Sequence, residues 1–310
     1  MEIIERLEDI TKPFHNAVVT IGNFDGVHIG HRTLFHKVIS LAKEMDGTSV
    51  ALTFEPHPAR VLEQNNELLL ITPHEQKKEL MSDIGLDVLV CVPFTKEFSA
   101  IPAREFIRDI LVNRIGMRAI VAGKDYAFGK DREGNLDFLQ SCSRSLDYKV
   151  HVIDWVLISN GLHSRMSSTK IRELLMDGAV AEAQQLLGRH FQLRGVVVSG
   201  RNRGGKVLGF PTANVKLQGD LCPRTGVYAV TVELRGRKYN GVANIGYSPT
   251  FDDHLFTIEI HILDFNADVL GEKIRVNFVR RIRDEVKFAT IAELSKKIHE
   301  DIEIARDLLK

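Results

Sequence analysis

Residues 18–35 read VVTIGNFDGVHIGHRTLF. They combine a β-branched run that ends at Gly22, a polar turn, and an apolar spacing that predicts a helix from about His31. A turn between a strand and a helix start directs backbone N–H groups and the positive helix end at a bound anion. His28 and His31 flank Gly30, whose missing side chain lets a phosphate approach the backbone. Because two imidazoles can donate hydrogen bonds to a triphosphate as its charge grows during displacement, the turn predicts a nucleotide site.

The rest of this half alternates between strand-like and helix-like patterns. Apolar, β-branched runs lie at 17–22, 49–54, 88–94, 119–123 and 149–155. Between them are amphipathic stretches, and Thr72-Pro73-His74-Glu75 combines an N-cap residue, a proline and a glutamate that together predict a helix start. Strands alternating with helices predict an α/β fold, a Rossmann-like doubly wound parallel sheet that binds ligands at the carboxyl ends of its strands.

Three further polar segments belong to that sheet edge. TFEPHP (53–58) ends a strand, GKDYAFGKDREGN (123–135) follows another, and SSTKIRELLMDG (167–178) opens a helix with two hydroxyls and Arg172. A helix start with hydroxyls and an arginine is a second phosphate-binding element. With the turn at 22–31, four loops are expected to converge on one site.

The second half has the pattern of a small antiparallel barrel. Strand-like runs lie at 193–199, 227–234, 238–246, 256–263 and 273–280. Arg235-Gly236-Arg237 is a hairpin connection, and only 290–309 has a clear helical period. Strands this dense predict a closed or nearly closed small barrel followed by a terminal helix.

A second chemistry is indicated at 194–215, a basic, glycine-rich stretch that ends in FPTAN. It has no GxxxxGK[ST] motif, but such a loop can surround phosphates with backbone N–H groups. In an extended PTANV, Thr212 and Asn214 share one face while Ala213 points away. Neutral oxygen ligands of this kind suit Mg²⁺ that is also held by ATP phosphates.

Glu259 lies in FTIEIHIL (256–263), where Thr257, Glu259 and His261 share one face of the strand. The residue is either a solvated carboxylate or a general base that deprotonates a primary hydroxyl for attack on a γ-phosphate. The pattern alone leaves both open.

Composition and net charge exclude several classes of protein. The chain has 310 residues, with 44% hydrophobic and 26% charged side chains, which excludes global disorder and suggests two domains. Its 41 basic residues balance 41 acidic ones, so neither nucleic acid nor a membrane surface is an expected partner. The acidic amino end, three dispersed cysteines and the lack of an apolar run of about 18 residues predict a cytoplasmic protein.

The charge is divided between the two halves. Residues 1–187 carry 21 basic and 26 acidic side chains, a net charge of −5, whereas residues 188–310 carry 20 and 15, a net charge of +5. Gly188 is a suitable residue to end a helix, so we place the domain boundary between residues 187 and 188.

The first half resembles the FAD synthetase module of prokaryotic bifunctional riboflavin kinase/FAD synthetases, which is similar in fold to HxGH nucleotidyltransferases. GNFDGVHIGH, TFEPHP, GKDYAFG and SSTKIRELLMDG carry the resemblance. It implies that His28 and His31 contact ATP phosphates. The other ATP-side residues that it implies are Gly22, Phe24, Gly30, Asp125, Ser168, Thr169 and Arg172, and the FMN-side residues are Pro56, His57 and Pro58. Ile29 departs from the family, which often has Arg there.

The second half resembles the riboflavin kinase module of the same family, a small Greek-key β-barrel with an outer helix. LGFPTAN, GVYAV, GVANIGYSPTF, IEIHILDFNADVLG and IRDEVKF occur in the family's order. The resemblance implies that Thr212 and Asn214 bind Mg²⁺ with ATP, that Glu259 is the catalytic base, and that Arg283 helps to cover the flavin. It assigns nucleotide or flavin binding to Gly200, Gly205, Lys206 and Gly209.

The resemblance implies a bifunctional enzyme whose substrates are riboflavin, FMN and ATP. The carboxy-terminal domain would phosphorylate riboflavin to FMN, and the amino-terminal domain would adenylylate FMN to FAD with release of pyrophosphate. FMN and FAD would then be substrate and product rather than prosthetic groups, and the oligomeric state is left open. The alternatives are an enzyme with one surviving activity, a flavin-sensing regulator, and a CTP-using or pantetheine-adenylylating transferase that shares HxGH.

Overall fold

The computed structural model describes residues 1–62, 68–154, 166–199, 210–219, 221–247 and 256–310. The chain divides into two units, Met1–Ser167 and Ser168–Lys310. Each unit has its own sheet and its own core. The predicted domain boundary between residues 187 and 188 stays a prediction.

The first unit is built on a six-stranded sheet in the order β1-β4-β3-β2-β5-β6, with every neighbouring pair parallel. Its strands are β1 Glu2–Ile4, β2 Ala17–Ile21, β3 Ser49–Glu55, β4 Val88–Pro93, β5 Met117–Gly123 and β6 Lys149–Ile153. Its helices are α1 Ile29–Glu44, α2 Pro58–Leu62, α3 His74–Ser82, α4 Lys96–Ser99, α5 Ala103–Glu105, which continues as a π-helix over Phe106–Ile115, and α6 Leu136–Ser143. The predicted doubly wound parallel sheet is confirmed.

Both faces of this sheet are covered, as the continuous apolar strands require. All five residues of β2 are buried, and neighbours in sequence enter different cores: Val19 belongs to one apolar cluster and Val18 to the other. Phe35 and Val38 of α1 fill the cluster around Val18. Because the sheet is packed on both faces, it holds the carboxyl ends of its strands in place, and with them the starting points of the loops that follow.

Two details differ from the sequence-based predictions. The short strand β1 was not predicted, and it pairs with β4 at the edge of the sheet. Helix α3 begins at His74 with Pro73 at the N-cap, one residue later than expected. The Thr72 hydroxyl does not cap the helix because it accepts a hydrogen bond from the backbone N–H of Gly26.

The second unit is a closed antiparallel barrel in the order β10-β11-β8-β7-β12-β9, which confirms the predicted barrel. Its strands are β7 Phe191–Val198, β8 Ala213–Leu217, β9 Gly226–Leu234, β10 Arg237–Tyr247, β11 Phe256–Ile262 and β12 Lys273–Arg283. Its helices are α7 Ser168–Met176, α8 Val180–Leu187 and α9 Ile291–Leu308.

The local signals in this unit behave as predicted. Arg235 and Gly236 both have positive φ, 51° and 72°, as a two-residue hairpin turn requires. Gly188 ends α8 in the left-handed conformation with φ 70°. Inside the barrel, Tyr228 and Phe278 are fully buried and their rings pack edge to face.

Candidate active sites

The turn between β2 and α1 has an unusual backbone conformation. Phe24, Gly26 and Val27 have positive φ angles of 51°, 85° and 41°. Phe24 and Val27 are each only 2% exposed, so their apolar side chains hold this strained path in place. A Cβ atom at Gly22 would lie 2.8 Å from the ring of Phe24, so any larger residue would displace that buried ring.

His28 and His31 meet at the start of α1. His28 is the N-cap, and its Nδ1 accepts a hydrogen bond from the backbone N–H of His31 at 3.3 Å. The helix therefore begins two residues before the predicted start at His31. Since Nδ1 of His28 is an acceptor, the proton of the neutral ring lies on Nε2. The two imidazole rings are stacked with centroids 3.6 Å apart.

Gly30 permits this close packing. A Cβ atom at Gly30 would lie 3.1 Å from Cε1 of His28. The Gly30 backbone N–H donates to Sδ of Met166 at 3.2 Å. A thioether is a weak acceptor, so this N–H, in the first turn of the helix, offers a better hydrogen bond to a phosphate oxygen than to the sulfur.

The topology brings three of the four predicted loops to one edge. Strands β3 and β5 are the two neighbours of β2, and all three run parallel. The segments 53–58 and 123–135 therefore flank the turn at 22–31. Asp125, two residues beyond the end of β5, is exposed at this edge.

The predicted FMN-side residues follow β3 directly. The Glu55–Pro56 peptide bond is cis, and α2 begins at Pro58. Nδ1 of His57 accepts a hydrogen bond from the backbone N–H of Ala59 at 3.2 Å.

An ionic cluster lies next to this segment. The Glu55 carboxylate pairs with Nδ1 of His74 at 3.1 Å and with Nζ of Lys77 at 3.9 Å. The interaction with His74 is the main reason why the pKa of Glu55 lies below its usual range. Neither partner was predicted, because both belong to a helix some 20 positions further along the chain.

A chain of aromatic rings also connects two of the predicted loops. Successive ring contacts lead from β3 to the loop after β5 through Phe54, Phe94, Phe98, Phe106, Phe128 and Tyr126. Burial raises the pKa of the Tyr126 hydroxyl. The sequence marks Tyr126 and Phe128 only as part of a glycine-containing loop.

Ser168, Thr169 and Arg172 all lie in α7, which opens the second unit. The helix begins at Ser168, within the segment 167–178 where the sequence predicts a helix start. Their contribution to the ATP site of the first unit stays a prediction.

In the second unit, three polar residues form a row across adjacent strands. Glu259 of β11 lies opposite Asn214 of β8 on one side and Asn244 of β10 on the other. Their chain neighbours Ala213 and Ile260 are buried in the barrel core, so the polar row faces outward. The sequence analysis singled out Asn214 and Glu259 separately, and the register of the barrel places them opposite each other. Asn244 is an addition that the sequence reasoning missed.

Glu259 is half-buried although it faces outward. Burial raises the pKa of its carboxyl above the usual value. In the described part of the chain, no hydrogen bond or ion pair engages this carboxylate. A desolvated carboxylate without a partner is a stronger base than a solvated one.

Thr212 is exposed and directly precedes β8. The residue before it, Pro211, is held by a histidine. Nδ1 of His261 and the carbonyl oxygen of Pro211 are 2.9 Å apart. The ring of Phe210 packs edge-on against both His261 and His299 of α9. The FPTAN segment is therefore fixed between β11 and the terminal helix.

Arg283 has a different environment from the one that the resemblance suggests. Its Nε donates to Oδ1 of Asp301 in α9 at 3.0 Å, and its Nη2 donates to Oδ2 at 2.7 Å. Nη1 donates to the carbonyl oxygen of Asp284 at 2.9 Å. The observed partner of the guanidinium is thus a buried carboxylate, and its role toward a flavin stays a prediction.

The glycine-rich loop lies outside the described residues, and with it Gly200, Gly205, Lys206 and Gly209. Among the residues that the structure describes, no group of three or more His, Cys, Asp or Glu side chains could hold a metal ion. The hydroxyl of Thr212 and the amide oxygen of Asn214 are nevertheless hard oxygen donors next to a carboxylate, a donor set that fits Mg²⁺ shared with ATP phosphates.

Two family models match the chain, one in each half. The family model described as FAD synthetase matches residues 10–170, and that described as riboflavin kinase matches residues 187–309.

Several curated proteins are similar over almost the whole chain, and those below are named bifunctional riboflavin kinase/FMN adenylyltransferase. The protein of Escherichia coli strain K12 is 36% identical over 309 residues, covering 99% of this chain and 97% of that protein. That of Buchnera aphidicola subsp. Schizaphis graminum is 34% identical over 310 residues, covering 99% and 98%. That of Listeria monocytogenes is 35% identical over 289 residues, covering 92% and 90%.

Among solved structures, a crystal structure from Streptococcus pneumoniae described as a macrolide-efflux protein has the same fold. It is 34% identical, covers 98% of each chain and superposes with a TM-score of 0.88. In the described part of the present chain, no helix is both long enough and apolar enough to cross a membrane.

Proposed function

The chain belongs to the bifunctional riboflavin kinase/FMN adenylyltransferase family, and we propose which of its residues carry each of the two reactions. The carboxy-terminal unit phosphorylates riboflavin with ATP to give FMN. The amino-terminal unit transfers the adenylyl group of ATP to FMN, which gives FAD and pyrophosphate. FMN and FAD are therefore substrate and product of this enzyme.

Adenylyl transfer is assigned to the turn at 22–31. A phosphate oxygen of FMN attacks the α-phosphorus of ATP, and the bond to the β-phosphate breaks. His28 and His31 stabilise the charge that develops on the leaving pyrophosphate, supported by the backbone N–H groups of the first turn of α1. The stacked imidazoles at a helix start, on the carboxyl edge of a parallel sheet, are the observation that carries this assignment.

The remaining first-site residues complete the proposal. Gly22, Phe24 and Asp125 belong to loops at the same edge, and Gly30 lies in the first turn of α1. These four residues bind ATP, together with Ser168, Thr169 and Arg172. Pro56, His57 and Pro58 border FMN. The adjacency of β2, β3 and β5 supports the part of this set that lies in the first unit.

Riboflavin phosphorylation is assigned to the polar row of the barrel. Glu259 accepts the proton of the primary hydroxyl while the oxygen attacks the γ-phosphorus of ATP and the bond to the β-phosphate breaks. Thr212 and Asn214 would hold Mg²⁺, which would neutralise phosphate charge. The half-buried carboxylate opposite Asn214, which no other described residue engages in a hydrogen bond or ion pair, is the observation that carries this assignment.

We further propose that the enzyme works in the cytoplasm. Its cysteines Cys91, Cys142 and Cys222 are all free, which suits a reducing compartment.

The function is tested by incubating the protein with riboflavin, ATP and Mg²⁺ and separating the flavins over time. We expect FMN to appear first and FAD to follow. Absence of FMN from the properly folded protein would contradict the kinase assignment, and absence of FAD when FMN is supplied would contradict the transferase assignment.

A further inference from the structure

A buried lysine lies beneath the first site and belongs to none of its predicted motifs. Lys77 of α3 has a side chain that is only 7% exposed. Its Nζ is 3.3 Å from Oγ1 of Thr53, 3.4 Å from the carbonyl oxygen of Asn23 and 3.5 Å from that of Phe54. The ammonium group thus donates to three oxygens that come from two different segments.

Those two segments are the ones that carry the predicted ATP and FMN contacts. Asn23 lies in the turn that leads to His28, and Thr53 and Phe54 lie near the end of β3, shortly before Pro56. Oγ1 of Thr53 also donates to the carbonyl oxygen of Asn23 at 3.3 Å. Lys77 and Thr53 therefore form a small hydrogen-bond network that fastens one segment to the other.

The segment just before α3 holds the turn at 22–31 at a second point. The buried carboxylate of Asp25 accepts hydrogen bonds from the backbone N–H groups of Ile71 and Thr72 at 3.0 and 3.2 Å. The segment that leads into α3 therefore supports the turn at Asp25, and Lys77 within α3 supports it at Asn23. This support opposes relaxation of the positive-φ backbone between Phe24 and Val27.

An apolar side chain could fill the volume that Lys77 occupies without burying a charge. Burying an ammonium group is costly, and apolar residues of similar volume often stabilise a core at least as well. Desolvation lowers the pKa of Lys77, while the nearby Glu55 carboxylate opposes that effect. What the ammonium adds over an apolar side chain is directed donation to the two loops.

We propose that Lys77 is a positioning residue for adenylyl transfer, which sets the distance between the turn carrying His28 and the segment carrying Pro56. This inference rests on the proposed function of the first unit. Small displacements of reacting groups reduce turnover steeply, by about 100-fold for roughly 1 Å.

The test uses the full chain and measures kcat and KM for FMN adenylylation in Lys77→Met. We expect kcat to fall by about 10- to 100-fold while KM for FMN and for ATP changes by less than about threefold, since geometry and not affinity is lost. The matched control is Lys78→Met in the same helix, whose lysine pairs with Glu75 and Glu5, and we expect it to keep parental kcat. Riboflavin kinase activity of each preparation should stay parental.

A second variant keeps the proposal testable if Lys77→Met does not fold. Thr53→Val keeps the volume and the lysine but removes the hydroxyl that joins Lys77 to Asn23, and we expect the same kcat to fall by about 3- to 10-fold. Parental kcat in folded Lys77→Met overturns the proposal, and if that variant does not fold, parental kcat in Thr53→Val overturns it. By contrast, a parental chain that makes no FAD from FMN would refute the proposed function itself.

Discussion

The pair between Arg283 and Asp301 predicts a specific loss of stability in the barrel unit. The side chain of Asp301 is 3% exposed and that of Arg283 is 17% exposed, and two parallel hydrogen bonds join them. Replacing Asp301 by Asn leaves a largely buried guanidinium without its counter-charge, which typically costs about 3–5 kcal/mol. Since Arg283 keeps its hydrogen bond to the carbonyl oxygen of Asp284, we expect the lower end, about 3 kcal/mol.

This loss is large enough to measure by scanning calorimetry of the full chain. At roughly 2–4 °C per kcal/mol for a unit of this size, Tm should fall by about 6–12 °C. The shift should affect the transition that coincides with loss of riboflavin kinase activity.

Two further variants make the interpretation specific. Asp307→Asn, in the same helix, removes a carboxylate that is 74% exposed and pairs only with exposed Lys310 among the described residues, so its effect should stay below about 1 kcal/mol. The apolar pair Arg283→Met with Asp301→Leu should recover most of the stability lost in Asp301→Asn, because no buried charge remains unpaired. A Tm decrease below about 2 °C in Asp301→Asn would show that the guanidinium does not depend on this carboxylate.

Four predictions concern activity. His31→Ala should lower FMN adenylylation by about 10²–10³-fold and leave riboflavin phosphorylation near parental in the same preparation, whereas equal loss of both would indicate misfolding. Glu259→Gln should lower the rate of single-turnover phosphorylation at saturating MgATP by about 10²–10⁴-fold. In the parental enzyme, kinase activity should fall on acidification at a higher pH than it would with an ordinary glutamate, because the pKa of Glu259 is raised. Asn214→Ala should weaken kinase activity in a way that excess Mg²⁺ partly restores, and no response to Mg²⁺ would argue against a ligand role. A fragment of residues 188–310 should make FMN but no FAD. Comparison with a fragment of residues 168–310 tests the proposed domain boundary. A fragment 188–310 that folds but has no kinase activity would contradict that boundary.

The sequence predicted the parts of the molecule that local pattern determines. Alternating periods predicted the parallel sheet and the barrel, and the ends of the strands located the turn around His28 and the segment around His57. Alternation in PTANV put Thr212 and Asn214 on one face, and alternation in FTIEIHIL put Glu259 on one face with Thr257 and His261. That Asn214 lies opposite Glu259 became visible only in the register of the barrel.

What the sequence could not predict depends on contacts between distant segments. Lys77 occurs in a polar helix with an ordinary pattern, and only the packing of α3 against β3 and the turn buries its ammonium. Asp301 likewise belongs to an amphipathic helix, where a charged residue is expected to be exposed, yet it faces Arg283. Local spacing contains no information about such partners, so these roles became visible only in the folded chain.

The most direct test of two independent sites in one chain is complementation between two inactive variants. Glu259→Gln and His31→Ala are each incubated with riboflavin, ATP and Mg²⁺, first separately and then mixed. We predict that Glu259→Gln alone forms little FMN or FAD, that His31→Ala alone accumulates FMN, and that the mixture converts riboflavin to FAD. A mixture that forms no more FAD than the two variants alone, although both are folded, would contradict the assignment of the two reactions to separate sites.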